Sequence, residues 1–253
     1  MGQPGTPERQ SSTHGAHATG VPAAQRRRMR RRYSTGALIA FEGVEGAGKS
    51  TQLDLLRYEL ERRGHEVVVT REPGGTPVGE RVRAVLLDPA VELDPRAEAL
   101  LFAAARAQLV EQVIRPALER GAVVLCDRYL DSSLAYQGGG RGLGRGPVEQ
   151  VNRFATGGLL PDLVVLLDLD PAEGLGRHAA RRDRIEVEGL GFHRRVRDAF
   201  RELAAGDPDR FAVVDGAAPA DQVAAGVLGA ALARLEGTGE PQGGAPVHQS
   251  EER

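Results

Sequence analysis

The sequence predicts an α/β fold, a five-stranded, doubly wound parallel sheet with helices on both faces. Three observations predict it. Five short apolar runs alternate with longer amphipathic stretches along the chain, and right-handed parallel crossovers wind that order into a sheet covered on both sides. The run Ala122 to Cys126 is apolar throughout rather than alternating, as a strand buried on both faces is. The polar clusters Gly43 to Thr51, Arg71 to Thr76 and Asp127 to Tyr129 each follow a run directly, at the carboxyl edge where open α/β sheets gather ligands.

In chain order, residues 1–35 form a leader rich in Gly, Ser, Thr, Pro and Gln with almost no aliphatic side chains. Such a composition does not offset the entropy of ordering, so the leader is expected to be disordered. Its run Arg26 to Arg32, broken by Met29, reads as a nucleic-acid arm, a transit sequence or a solvated extension. The last is favoured, because no amphipathic face accompanies the arginines. The first strand begins at Ala37, in ALIAFEGVEGAGKST, Ala37 to Thr51. Gly43, Gly48, Lys49 and Ser50 match G-x-x-x-x-G-K-[ST] between a strand and a helix, Ser50 to Arg63, which is the context of a phosphate-binding P-loop. Backbone N–H groups of Gly43, Val44, Glu45, Gly46, Ala47, Gly48, Lys49, Ser50 and Thr51 are expected to cradle a nucleoside triphosphate. Lys49 would reach its outer phosphates and Ser50 a Mg²⁺ ion. Lys49 is the only lysine in a chain with 33 basic residues, and arginine's wide planar fork does not fit inside so tight a loop.

Glu66 to Thr70 is the second strand, and Arg71-Glu72-Pro73-Gly74-Gly75-Thr76 turns at its end, presenting Arg71 to the site. Helical patterns follow at Val78 to Leu87 and Asp94 to Arg120, the second with an expected inward stripe on the spacing Leu100, Leu101, Ala104, Ala105, Gln108, Leu109 and Gln112. Phe102 and Arg106 lie four apart on one face, a geometry suited to clamping a nucleobase, although a core role is the ordinary reading of such a Phe. The strand Ala122 to Cys126 delivers Asp127, placed for a metal's water shell, together with Arg128 and Tyr129. A helical turn Ser132 to Gln137, a loop Gly138 to Gly146 and a helix Val148 to Phe154 come next. Leu163 to Leu169 is the fourth strand. Residues of about 176–191 carry Arg177, Arg181, Arg182 and Arg184 and are expected to form a mobile lid. A helix Phe192 to Ala205, a strand Phe211 to Val214 and a helix Pro219 to Leu235 complete a domain spanning 36–236, and a polar tail covers 237–253.

The formal net charge is −2, so no overall field draws the domain to nucleic acid. No apolar run approaches a membrane span, and the single Cys126 suits a reducing, cytoplasmic setting. A triphosphate cradle facing Arg71 and Arg128 makes two anion sites. That arrangement suits a phosphotransferase with an anionic acceptor, which needs no general base because a phosphate monoester is already largely ionised near neutrality. A guanine-nucleotide switch would need an Asn/Thr-Lys-x-Asp motif, and Lys49 leaves no lysine for one.

These residues resemble the thymidylate kinases, over about Gly36 to Leu235. FEGVEGAGKST, REPGGT, LLFAAAR, DRYLDSSLAYQGGGRG and RRDRIE occur in the family's order. The resemblance implies a nucleoside monophosphate kinase fold, transfer of the γ-phosphate of ATP to dTMP, Mg²⁺ as cofactor and a homodimer. It places Glu45 at the sugar 3′-hydroxyl, Arg71 on the acceptor phosphate, Phe102 on thymine and Arg106 on a base oxygen. Asp127 and Arg128 serve metal and phosphate, Ser132 and Ser133 face the base, and Tyr136 crowds the 2′ position. Lys49 and Arg128, with lid arginines Arg181, Arg182 and Arg184, are the catalytic candidates. A kinase for another nucleoside monophosphate or for a deoxynucleoside, and a non-catalytic P-loop nucleotide sensor, are the competing readings.

Overall fold

The computed structural model describes residues 36–177 and 183–236. The expected leader and tail lie outside the described residues, as do Arg181 and Arg182. Five parallel strands, β1 (Ala37–Glu42), β2 (Val67–Arg71), β3 (Val123–Asp127), β4 (Leu163–Asp168) and β5 (Phe211–Asp215), form one sheet in the order β2-β3-β1-β4-β5. The three central strands are buried almost throughout, which requires cover on both faces and explains their unbroken apolar sequences. The register aligns the carboxyl ends: Arg71 pairs with Asp127, and Asp127 with Phe41, at one level across three strands. This levelling brings three separate sequence motifs to one rim.

The helices are α1 (Lys49–Arg62), α2 (Pro77–Leu87), α3 (Pro95–Leu109), α4 (Arg115–Glu119), α5 (Leu130–Ser133), α6 (Arg145–Thr156), α7 (Pro171–Arg177), α8 (Leu190–Gly206) and α9 (Ala220–Glu236). Thr76 caps α2 by accepting from the Gly79 N–H at 2.9 Å, with Pro77 in the first turn, as a fixed-φ residue there favours. Asp94 and Pro95 begin α3 in the same way. The expected helix Asp94 to Arg120 follows that course, with a π turn, Val110–Ile114, between α3 and α4.

Two expectations are corrected. The stripe read on α3 does not face inward as a whole: Leu100 is 57% exposed and Ala104 is exposed, while Glu98 and Arg106 are buried. A search for apolar residues misplaces the face of a helix whose buried side is held by ion pairs. The loop expected from Gly138 remains helical to Gly140, as a π turn Leu134–Gly140 continuing α5. Its glycines are there for packing: a Cβ on Gly139 would lie 2.7 Å from the Ala199 side chain, and one on Gly140 2.6 Å from the Phe192 ring. Low helix propensity at these positions is exchanged for close approach of α8.

Candidate active site

The P-loop joins β1 to α1 through backbone shapes that only glycine takes freely. Gly43 has φ 140° and Gly46 φ 71°, and a Cβ on Gly46 would sit 2.2 Å from the Gly174 carbonyl oxygen, so this turn excludes side chains twice over. Lys49 Nζ folds back to donate to the carbonyls of Gly43 at 3.1 Å and Val44 at 3.0 Å. Burial, and then the nearby Arg128, lower its pKa to about 8. The first turn of α1 carries no acidic residue, which leaves the helix dipole to an anion.

A cavity of about 220 Å³ opens in front of the loop and is lined by Glu45, Gly46, Lys49 and Ser50. Its walls also carry Arg71, Phe102, Arg106, Asp127, Arg128, Ser132, Ser133 and Tyr136. Ser50 Oγ donates to Asp127 Oδ2 at 3.2 Å. This pair of hard oxygens beside a phosphate cradle fits Mg²⁺, which takes one or two protein oxygens and fills its shell with phosphate and water.

Arg128 is the hub of the hydrogen bonds beside the P-loop. Its guanidinium donates to the Gly43 carbonyl at 3.0 Å, Ser132 Oγ at 3.2 Å and Glu45 Oε1 at 2.9 Å, and lies 5.0 Å from the Tyr136 ring centre. The backbone of Arg128 has φ 68°, a left-handed conformation that costs an L-residue of this size about 1–2 kcal/mol. Glu45 also accepts from Tyr136 Oη at 2.8 Å and lies 3.5 Å from Nδ1 of the buried His193. Burial opposes ionisation of Glu45, but Arg128 first, with His193, Lys49 and Tyr136, holds its carboxyl well below the usual range. Arg71 is half exposed and paired with Glu80 at 3.0 Å.

α3 lines the cavity with Phe102 and Arg106. Phe102 is partly buried beside the core. Arg106, one turn on, is 1% exposed. It donates to Glu72 Oε2 at 2.7 Å, Ser133 Oγ at 3.0 Å, the Tyr129 carbonyl at 3.2 Å and Asn152. Ser133 and Arg106 therefore act as one unit, whereas Ser132 Oγ donates to Glu42 at 2.6 Å. Arg184, expected at the transferring phosphoryl group, instead donates to the Leu86 carbonyl at 2.8 Å and pairs with buried Glu98 at 2.7 Å. It is not among the residues lining the cavity.

Glu72, Arg83, Gln137, Asp183, Ile185 and Glu186 also line the cavity and were not singled out in the sequence. Glu72 and Gln137 stand inside motifs already noted, next to Arg71 and Tyr136. Arg83 falls between Gly79 and Leu86, the buried positions of α2, so helical spacing alone places it inward.

The model of the thymidylate kinase family matches residues 41–227. The chain belongs to the thymidylate kinase family. Thymidylate kinase of Deinococcus radiodurans is 58% identical over 204 residues, 79% of this chain and 98% of that protein. That of Clavibacter michiganensis subsp. michiganensis is 56% identical over 196 residues, 76% of this chain and 93% of the relative. A crystal structure of thymidylate kinase from Ehrlichia chaffeensis matches with a TM-score of 0.60 at 36% identity, covering 71% of this chain and 93% of that one. The fold is that of a P-loop nucleoside monophosphate kinase, and the chain is an ATP-dependent kinase. Among the described residues, no helix of this kinase is long and apolar enough to cross a membrane.

Proposed function

We propose that this chain transfers the γ-phosphate of ATP to dTMP, giving dTDP and ADP. The observation that carries the reading is one cavity lined together by the P-loop Lys49, by Arg71 and Arg128, and by Phe102 and Arg106. The P-loop amides and Lys49 bind the donor's phosphates. Arg71 and Arg128 hold the acceptor phosphate against the charge of the donor, a positioning task that supplies most of the catalysis in phosphoryl transfer. Phe102 stacks on thymine, Arg106 with Ser132 and Ser133 bonds its edge, and Glu45 with Tyr136 contacts the sugar and excludes a 2′-hydroxyl. Ser50 and Asp127 would hold Mg²⁺, which neutralises charge on the β- and γ-phosphates when bound. The acceptor arrives ionised and needs no general base. Arg181 and Arg182, outside the described residues, are the proposed donors to the transferring group, while Arg184 is held on the Leu86 carbonyl and Glu98. We also propose a cytoplasmic homodimer. Supporting it, Val78 and Val85 on α2, Leu100 on α3 and the 92% exposed Phe154 on α6 form apolar exposure on helices packed side by side.

The test is ADP release with Mg-ATP and a panel of dTMP, dUMP, UMP, CMP, AMP and GMP, with Lys49→Ala as blank. A rate confined to dTMP, with dUMP a weak second, supports the reading. Turnover with another monophosphate overturns the roles of Phe102, Arg106 and Ser133. Binding of ATP without transfer to any acceptor favours a nucleotide sensor.

A further inference from the structure

The buried acid at the end of β1, Glu42, is 0% exposed and does not line the cavity, yet three donors converge on it from the segment that carries Arg128. Its Oε1 accepts the N–H of Tyr129 at 2.8 Å and of Ser132 at 3.1 Å, and its Oε2 accepts Ser132 Oγ at 2.6 Å. Both oxygens serve these donors and neither lines the cavity, so this carboxyl is not placed to take a proton from a substrate. What it does is hold backbone. The N-cap of α5 is Tyr129, whose side chain makes no capping bond; Ser132 is the third residue of that helix, and Glu42 accepts its N–H as a capping side chain would.

The left-handed Arg128 is thereby pinned on both sides. Its own N–H donates to the Phe41 carbonyl at 2.9 Å, its carbonyl accepts from Cys126 Sγ at 3.0 Å, and the next N–H belongs to Glu42. A strained residue persists where its surroundings over-determine it, and here the N–H and carbonyl of Arg128 and the N–H of Tyr129 all have partners on β1 or β3. We infer that Glu42 is a positioning residue of the phosphoryl transfer: it fixes the Arg128 turn, and through it the guanidinium that faces the acceptor phosphate, with the Cys126 thiol as a second tie. This rests on the role of Arg128 proposed above.

The test is steady-state kinetics with ATP and dTMP, with melting temperatures, for Glu42→Gln, Glu42→Leu, Arg128→Ala and the Glu42→Leu/Arg128→Ala double variant. A misaimed arginine should lower kcat by about tenfold to a hundredfold in Glu42→Leu, with KM for ATP little changed. Glu42→Gln, which keeps an acceptor oxygen for both N–H groups, should restore most of that rate. In the Arg128→Ala background Glu42→Leu should add little, because the group it aims is gone. A folded Glu42→Leu enzyme with full kcat, or losses that multiply in the double variant, would overturn the inference. Full activity in Arg128→Ala would instead overturn the role of Arg128. Should Glu42→Leu not fold, Cys126→Ala takes its place in the cycle: a kcat loss that disappears in the Arg128→Ala background supports the inference, and an unchanged kcat overturns it.

Discussion

Glu72 and Arg106 are 3% and 1% exposed at the side chain, and removing one should cost far more than removing the other. The other partners of the Arg106 guanidinium, Ser133, Asn152 and the Tyr129 carbonyl, are neutral. Glu72→Leu therefore leaves a buried cation facing only dipoles. A guanidinium does not shed its proton in a protein, so the full penalty of breaking a buried pair applies, about 3–5 kcal/mol. Arg106→Leu leaves a carboxyl instead, and burial already raises the pKa of Glu72. That group escapes by protonation, and the loss shrinks to the scale of an unsatisfied polar group, about 1–3 kcal/mol. The double Leu variant should recover much of the Glu72→Leu loss, since a packed apolar pair replaces a buried ion pair at little cost. Urea unfolding of the wild type and the three variants at pH 7 measures this cycle. Equal losses in the two single variants, or additive losses in the double, would show that Glu72 does not neutralise a trapped cation.

Three further outcomes are expected. Phe102→Ala should raise KM for dTMP by roughly tenfold, the scale of a lost stacking contact of about 1–3 kcal/mol, and leave KM for ATP unchanged in steady-state assays. Burial and then Asp131 lift the Glu42 pKa from the usual 4.5 to about 7. Between those values the folded state holds a proton that the unfolded state has released, so stability falls as pH rises from about 4.5 to 7, by up to about 3 kcal/mol at 1.4 kcal/mol per pH unit. Melting curves of Glu42→Gln across that range should lack this slope. Arg184→Leu should lower the urea midpoint by removing a partner of buried Glu98, at about 1–3 kcal/mol; a large kcat loss with an unchanged midpoint would place Arg184 on the phosphoryl group instead.

Much of this was legible in the chain. The three central strands were readable to within a residue because a buried parallel strand has no polar face to blur its ends, and the P-loop because its glycines and lysine have no substitutes. The buried side of α3 was not. Glu98 and Arg106 turn inward only because Arg141, Arg184 and Glu72, from other elements, meet them there, and partners brought together by the fold leave no mark on local periodicity. The triple glycine at Gly138 read as loop for the same reason: its meaning lies in Phe192 and Ala199 of a helix fifty residues on.

The same blindness hid a regularity in the site. Arg106 has Glu72 behind it, Arg128 has Glu45 at its side and Glu42 behind its backbone, and Arg71 has Glu80. An arginine free in solution would lose about 2 kcal/mol of side-chain entropy on closing around a substrate. Held by a carboxylate beforehand, it has lost that freedom during folding, and binding energy is left for orientation. The acids also differ in a way that suits their neighbours: Glu45 is held ionised beside Arg128 and lines the cavity, whereas Glu42, with no cation in direct contact among the described residues, is pushed toward the neutral form and serves backbone N–H groups. Neutralising substitutions should therefore separate them, Glu45→Gln altering substrate binding and Glu42→Gln altering mainly the pH dependence of stability. A dTMP titration of both variants by calorimetry at pH 7.5 decides it: affinity reduced in Glu45→Gln and retained in Glu42→Gln is the expected result, and equal losses would show that both carboxylates act on the ligand through their charge.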